Sequence, residues 1–191
     1  MQDTEPQPSQ ETVPWQSTIT WTRGGPPPPP GPPPGEPVMS DFYTSMNSPV
    51  GPLTLFANAD ALTAIEWGRA PSSRSTPLLN EATRQLTAYF DGHLTDFDLP
   101  LAPVGGTEFQ RRVWRAMRDI PFGRTETYGD LAARIGGVAR AVGGACGANP
   151  LPIIIPCHRV TGAGGRMTGY SAGEGIETKQ ALLRFEGATL I

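Results

Sequence analysis

The chain has 191 residues, enough for one or two small domains, and its 22 prolines and 23 glycines exceed what one tightly packed core uses. Two cysteines exclude a disulfide-built secreted scaffold and point to the reducing cytoplasm, and no apolar run approaches the roughly 20 residues that would cross a membrane. The net charge of −3 argues against nucleic acid only until it is divided: residues 1–105 carry four arginines against eleven acidic residues, for −7, whereas residues 106–191 carry ten arginines and one lysine against seven, for +4.

The excess proline lies at the front. Residues 26–37 read Pro-Pro-Pro-Pro-Pro-Gly-Pro-Pro-Pro-Gly-Glu-Pro, which excludes helix and central strand and favours solvated polyproline II. Residues 1–38 are expected to be a disordered extension: either a spacer or groove ligand, or sequence ahead of a true start at Met39. Three strand-like runs follow, Phe42 to Asn47, Pro52 to Ala57 and Ala61 to Trp67, with turn residues at 48–51 and 58–60. They predict an antiparallel meander. Leu78, Leu79, Leu86, Tyr89 and Phe90 recur at helical spacing and predict a helix over 78–91. Residues 39–102 therefore read as a small α+β domain without chemistry of its own, and His93 as a surface residue.

A second domain, 103–191, opens with Thr107 placed to cap a helix through Phe109, Val113, Trp114 and Met117, which Pro121-Phe122-Gly123 ends. A short helix over 129–135, the pair Gly136-Gly137 and a second helix over 138–147 predict a helix-turn-helix. After Arg140 the second helix offers only Ala, Val, Gly, Gly, Ala, Cys, Gly and Ala. Each glycine costs a helix about 1 kcal/mol relative to alanine. So bare a helix cannot read many base edges. It can bring its backbone close to a surface held mainly through phosphates, or pack tightly against its own core.

Residues 155–160 read Ile-Pro-Cys-His-Arg-Val. Cysteine is a strong nucleophile only as the thiolate, so its ordinary pKa of about 8.5 must be lowered by a base or a positive field. His158 is a candidate base beside Cys157, and Arg159 a fixed positive charge. The alternative is a buried structural cysteine that happens to precede a histidine.

This run resembles the active-site signature of the O6-alkylguanine-DNA alkyltransferases. The likeness extends through residues 107–114 (Thr-Glu-Phe-Gln-Arg-Arg-Val-Trp), Ile120-Pro121-Phe122-Gly123, Thr127-Tyr128-Gly129-Asp130-Leu131-Ala132, residues 140–150 from Arg140 to Asn149-Pro150, Thr168-Gly169-Tyr170, and Leu182-Leu183-Arg184-Phe185-Glu186-Gly187. It covers about residues 40 to 191 in family order. The resemblance implies an α+β protein with a ribonuclease-H-like first domain and a mostly helical, winged-helix-like catalytic domain. It implies single-turnover repair of double-stranded DNA, in which an alkyl group leaves O6 of guanine, or O4 of thymine, for Cys157, with no cofactor and no metal site.

On the same basis His158 would make the thiolate through a bridging water, Glu186 would orient His158, and Asn149 would support the cysteine loop. The helix bearing Arg140, Ala141 and Gly143 would enter the minor groove, with Arg140 replacing a flipped-out nucleotide. Tyr128 would push the neighbouring phosphate and then donate a proton to N3 of the leaving guanine. Tyr170, Ser171 and Trp114 would belong to the substrate pocket, and the carbonyls of Cys157 and Val160 would accept from the base's exocyclic amine. A monomer is expected.

Two features depart from the family pattern. The link over residues 135–140 is about two residues short, which bears on the reach of Arg140, and Ala172 stands where glycine is common. Two other classes of protein compete. A non-enzymatic lesion sensor would lack Cys157, and a regulator using the helix-turn-helix alone would carry base-reading side chains on its second helix.

Overall fold

The computed structural model describes residues 42–167, 170 and 172–188; residues 1–38 with their proline tract, and Ser171, lie outside them. Three strands come first: β1 (Phe42–Met46), β2 (Leu53–Ala57) and β3 (Leu62–Trp67). They pair antiparallel in that order, with Leu55 opposite Thr44 on one side and Ile65 on the other. Asn58 turns the second hairpin by accepting from the backbone of Asp60 (2.9 Å) and Ala61 (2.8 Å) through its side-chain oxygen.

Helix α1 (Pro77–Phe90) packs on this sheet. Thr76 caps it by accepting from Leu79 N, and Pro77 stands in the first turn, where a missing N–H costs nothing. Leu79, Ala82, Leu86 and Tyr89 form its buried stripe. The chain then returns along β3: Leu62 N donates to Pro100 O (2.9 Å) and Ala102 N to Leu62 O (2.8 Å).

Helix α2 (Glu108–Arg118) opens with a reciprocal capping box between Thr107 and Gln110. The two-residue strand β4 (Glu126–Thr127) leads into α3 (Tyr128–Ile135) and then α4 (Ala139–Gly147). The short link between α3 and α4 closes as a three-residue turn. Gly136 takes the left-handed conformation (φ 71°) that ends α3, and a Cβ at Gly137 would come within 3.0 Å of the Phe109 ring. Val138 is extended, so α4 starts one residue later than the sequence predicts.

Strand β5 (Val160–Thr161) pairs parallel with β4, and α5 (Ile176–Phe185) follows. Lys179 takes a core-facing position on α5 and interrupts its apolar stripe. No helix among the described residues is long and apolar enough to cross a membrane.

Candidate active site

Between α4 and Cys157 the chain forms a tight buried loop. Asn149 braces it from inside: its side-chain nitrogen donates to Ile155 O (2.8 Å), and its side-chain oxygen accepts from Leu151 N (3.0 Å). Ile155 N also donates back to Leu151 O (2.8 Å). Within this brace Ile153 sits at φ 75°, a left-handed conformation that costs a β-branched residue energy. Ile153, Ile154 and Ile155 are all buried, and their burial holds the strained turn in place. Cys157 then opens a 3-10 turn, Cys157–Arg159, in which all three residues are buried.

The turn brings His158 and Arg159 onto one carboxylate. His158 Nε2 lies 2.8 Å from Glu186 Oε1. An ionised carboxylate only accepts, so Nε2 carries the proton and Nδ1 is left as the basic lone pair. Nδ1 is buried and makes no hydrogen bond to any described residue. Arg159 donates to both Glu186 oxygens, at 2.9 Å from Nε to Oε2 and 2.9 Å from Nη2 to Oε1, and its Nη1 donates to Ile120 O (2.7 Å). The Glu186 side chain is 0% exposed, so it is no solvated helix-end carboxylate.

Burial alone pushes the Glu186 carboxyl up, but hydrogen bonds from His158 and Arg159 outweigh it and hold the group at about 2. Burial lowers the pKa of His158, against the pull of Glu186, so the imidazole rests neutral. Burial likewise raises the Cys157 thiol, with the Asn149 side chain and the Lys179 ammonium opposing it. The resting pair is therefore thiol and imidazole, not thiolate and imidazolium.

Cys157 opens onto a small cavity of about 20 Å³, room for about one water molecule, lined by Cys146, Gly147, Asn149, Pro152, Tyr170 and Ala172. The Tyr170 hydroxyl is buried there without a hydrogen bond of normal geometry. Tyr128 begins α3, half-buried, with the Lys179 ammonium 5.6 Å from its ring centroid.

Two regions of the chain match known families. Residues 42–103 match "6-O-methylguanine DNA methyltransferase, ribonuclease-like domain", and residues 108–188 match "6-O-methylguanine DNA methyltransferase, DNA binding domain". A methylated-DNA–protein-cysteine methyltransferase of Mycobacterium bovis is 49% identical over 153 residues, 75% of this chain and 91% of that protein. One from Methanosarcina acetivorans is 43% identical over 157 residues, 77% of this chain and 99% of that protein. Among solved structures, the Mycobacterium tuberculosis OGT in complex with DNA superposes with a TM-score of 0.69 at 46% identity, over 76% of this chain and 92% of that one. The chain belongs to the methylated-DNA–protein-cysteine methyltransferase family.

Within this methyltransferase fold, α4 answers the question its composition raises. A Cβ added at Gly143, Gly144 or Gly147 would meet nothing within 4 Å, so the glycines are not there to pack against the protein's own core. Arg140 and Ala141 are exposed on the same helix. Val142, Ala145 and Cys146 form its buried side.

Two expectations change. Trp114 does not line the Cys157 cavity. It is 2% exposed, and its indole nitrogen donates to Ala145 O (2.8 Å), so it supports α4 from behind. The Val160 carbonyl is not idle: Lys179 Nζ donates to it at 2.6 Å, leaving one lone pair for a ligand.

Sequence reasoning misses Tyr89 and Lys179, and it reads Arg159 as a positive charge acting on Cys157 and not as the partner of Glu186. Tyr89, from α1, donates to Glu186 Oε1 at 2.7 Å across 97 residues. Arg159 is the buried counter-ion of Glu186, and Lys179 a fully buried cation beside Cys157. For Lys179 the signal was available: a lysine at a core-facing helix position signals either a partner or a function.

Proposed function

We propose that the chain repairs DNA by moving an alkyl group from O6 of guanine to Cys157, once per molecule. The observation that carries this reading is the buried chain of contacts running from Cys157-His158 to Glu186. A carbon–sulfur bond forms at Cys157 Sγ while the bond from the alkyl carbon to O6 breaks, and guanine leaves. A thioether does not revert, so the protein is spent.

The thiol proton passes to Nδ1 of His158, directly or through one water, and Glu186 stabilises the resulting imidazolium. Arg159 shares the Glu186 charge, which keeps His158 neutral until a substrate makes the thiolate worth forming. The Lys179 ammonium favours the thiolate further. Tyr128 donates toward N3 of the departing base. Tyr170 lines the site, and the second Val160 lone pair accepts from the exocyclic amine.

The partner is double-stranded DNA. The open side of α4 suits close approach to a minor groove, and we assign Arg140, exposed on the same helix, the role of entering the stack in place of a flipped nucleotide. Phosphate contacts from the arginine-rich half supply most of the affinity. We place the protein in the cytoplasm, acting as a monomer on O6-alkylguanine and O4-alkylthymine.

The test is intact-protein mass after mixing with a duplex that carries one O6-methylguanine, beside a Cys157→Ala control. The native chain is expected to gain one methyl group and the control none. Tight lesion binding without a mass change would overturn the catalytic reading.

A further inference from the structure

We propose that Cys146 and Cys157 together form a dithiol site for trivalent arsenicals, distinct from any alkyl-transfer role. These are the only two cysteines of the chain, both are free, and both line the same cavity of about 20 Å³. They reach it from separate elements, Cys146 from the buried side of α4 and Cys157 from the 3-10 turn. A third soft atom adjoins them: Cys146 Sγ lies 3.4 Å from Met117 Sδ.

The surroundings choose the ligand. Among the described residues no group of three or more His, Cys, Asp and Glu side chains could hold a metal ion. Zinc and similar cations want about four such ligands. A disulfide would need an oxidant and a narrow Cβ geometry. Arsenic(III) needs neither. Two thiols and an arsenic-bound substituent complete its coordination, and the product is neutral. Neutrality suits this site, because burial raises both thiols, Cys146 up to about 12, and a bound dication would stand beside the Lys179 ammonium. The reaction balances without redox change: two S–H groups and two As–OH groups of arsenite give two S–As bonds and two waters, and one hydroxyl stays on arsenic.

The experiment uses the full chain and arsenite, whose single remaining hydroxyl is of the cavity's one-water size, at equimolar ratio, read by intact mass and thiol titration without DNA. One arsenic with its hydroxyl is expected, with both thiols lost together, resistant to excess monothiol and released by 2,3-dimercaptopropanol. Cys146→Ser and Cys157→Ser are each expected to lose the monothiol-resistant adduct. The native chain gives a second reading that does not depend on those variants folding: the adduct must form at a rate that mild denaturant does not raise. An adduct that a monothiol removes, one that survives Cys146→Ser, or one that appears only in denaturant overturns the proposal. If Cys157 is the alkyl acceptor, the clamped protein also fails to accept an alkyl group until the dithiol releases it. That consequence rests on the functional reading, and the mass readout does not.

Discussion

Glu186 concentrates more hydrogen bonds than any other side chain of the site, and each partner makes a different prediction. Removing its charge leaves Arg159 buried and unpaired. Glu186→Gln is expected to destabilise the fold by about 3–5 kcal/mol, measured by chemical denaturation. Tyr89→Phe removes one buried donor to the same carboxylate and should cost about 1–3 kcal/mol. It should also leave Glu186 a stronger partner for His158. The imidazole is then easier to protonate, so the acid limb of the transfer rate should move to higher pH in single-turnover assays across pH. A merely structural role for Tyr89 would lower stability and leave that limb in place. Neither effect could be foreseen from the local sequence. Glu186 reads there as a solvated helix end, and Tyr89 as one apolar position in a helical stripe.

At the scale of the element, α4 inverts the usual relation between stability and function. Gly144 faces open space, so Gly144→Ala should raise helix stability, by about 1 kcal/mol at most. The same methyl group adds bulk where the backbone is to meet DNA. Affinity for duplex, measured by fluorescence anisotropy, should fall for Gly144→Ala and further for Gly144→Leu, while the melting temperature of the Ala variant rises. Unchanged affinity in both would remove α4 from the interface. Most elements are legible in the sequence. The meander, α1, α2 and the helix-turn-helix follow from period, caps and glycine placement, to within one or two residues. Helix α5 is legible only at its end, near Glu186, because its buried lysine breaks the apolar stripe that would mark its start. The α4 glycines were legible as an oddity but not as an answer. Only the open space beside them separates contact with another molecule from packing within this one.

For the whole molecule, the acid side of the stability curve follows from two groups acting in the same direction. Glu186 has a folded value of about 2, below the ordinary carboxylate range, so its contribution is complete above that range and lost as the pH falls toward 2. His158 rests neutral and buried. Below its ordinary value of 6.5 the unfolded chain takes up a proton that the folded chain resists. The melting temperature should therefore begin to fall below about pH 6.5 and fall faster through the carboxylate range. The Tyr89–Glu186 bond and the bond from Ile65 N in β3 to Pro150 O (2.8 Å) tie the first half to the second. Calorimetry should accordingly show one cooperative transition for the folded part, and two well-separated transitions would contradict that coupling.

Glu186 also follows every group it binds: Tyr89, Gly123, His158 and Arg159 all precede it in the chain. At a synthesis rate of about 5–20 residues per second, the 97 residues between Tyr89 and Glu186 take roughly 5–20 s to make. Throughout that interval the nascent chain carries Arg159 and His158, once made, without their carboxylate. It is a protein with its nucleophile in place and its base still unsupported. Newly made chains should become competent to react only when the last partner arrives, so translation order itself sets when the acceptor is armed.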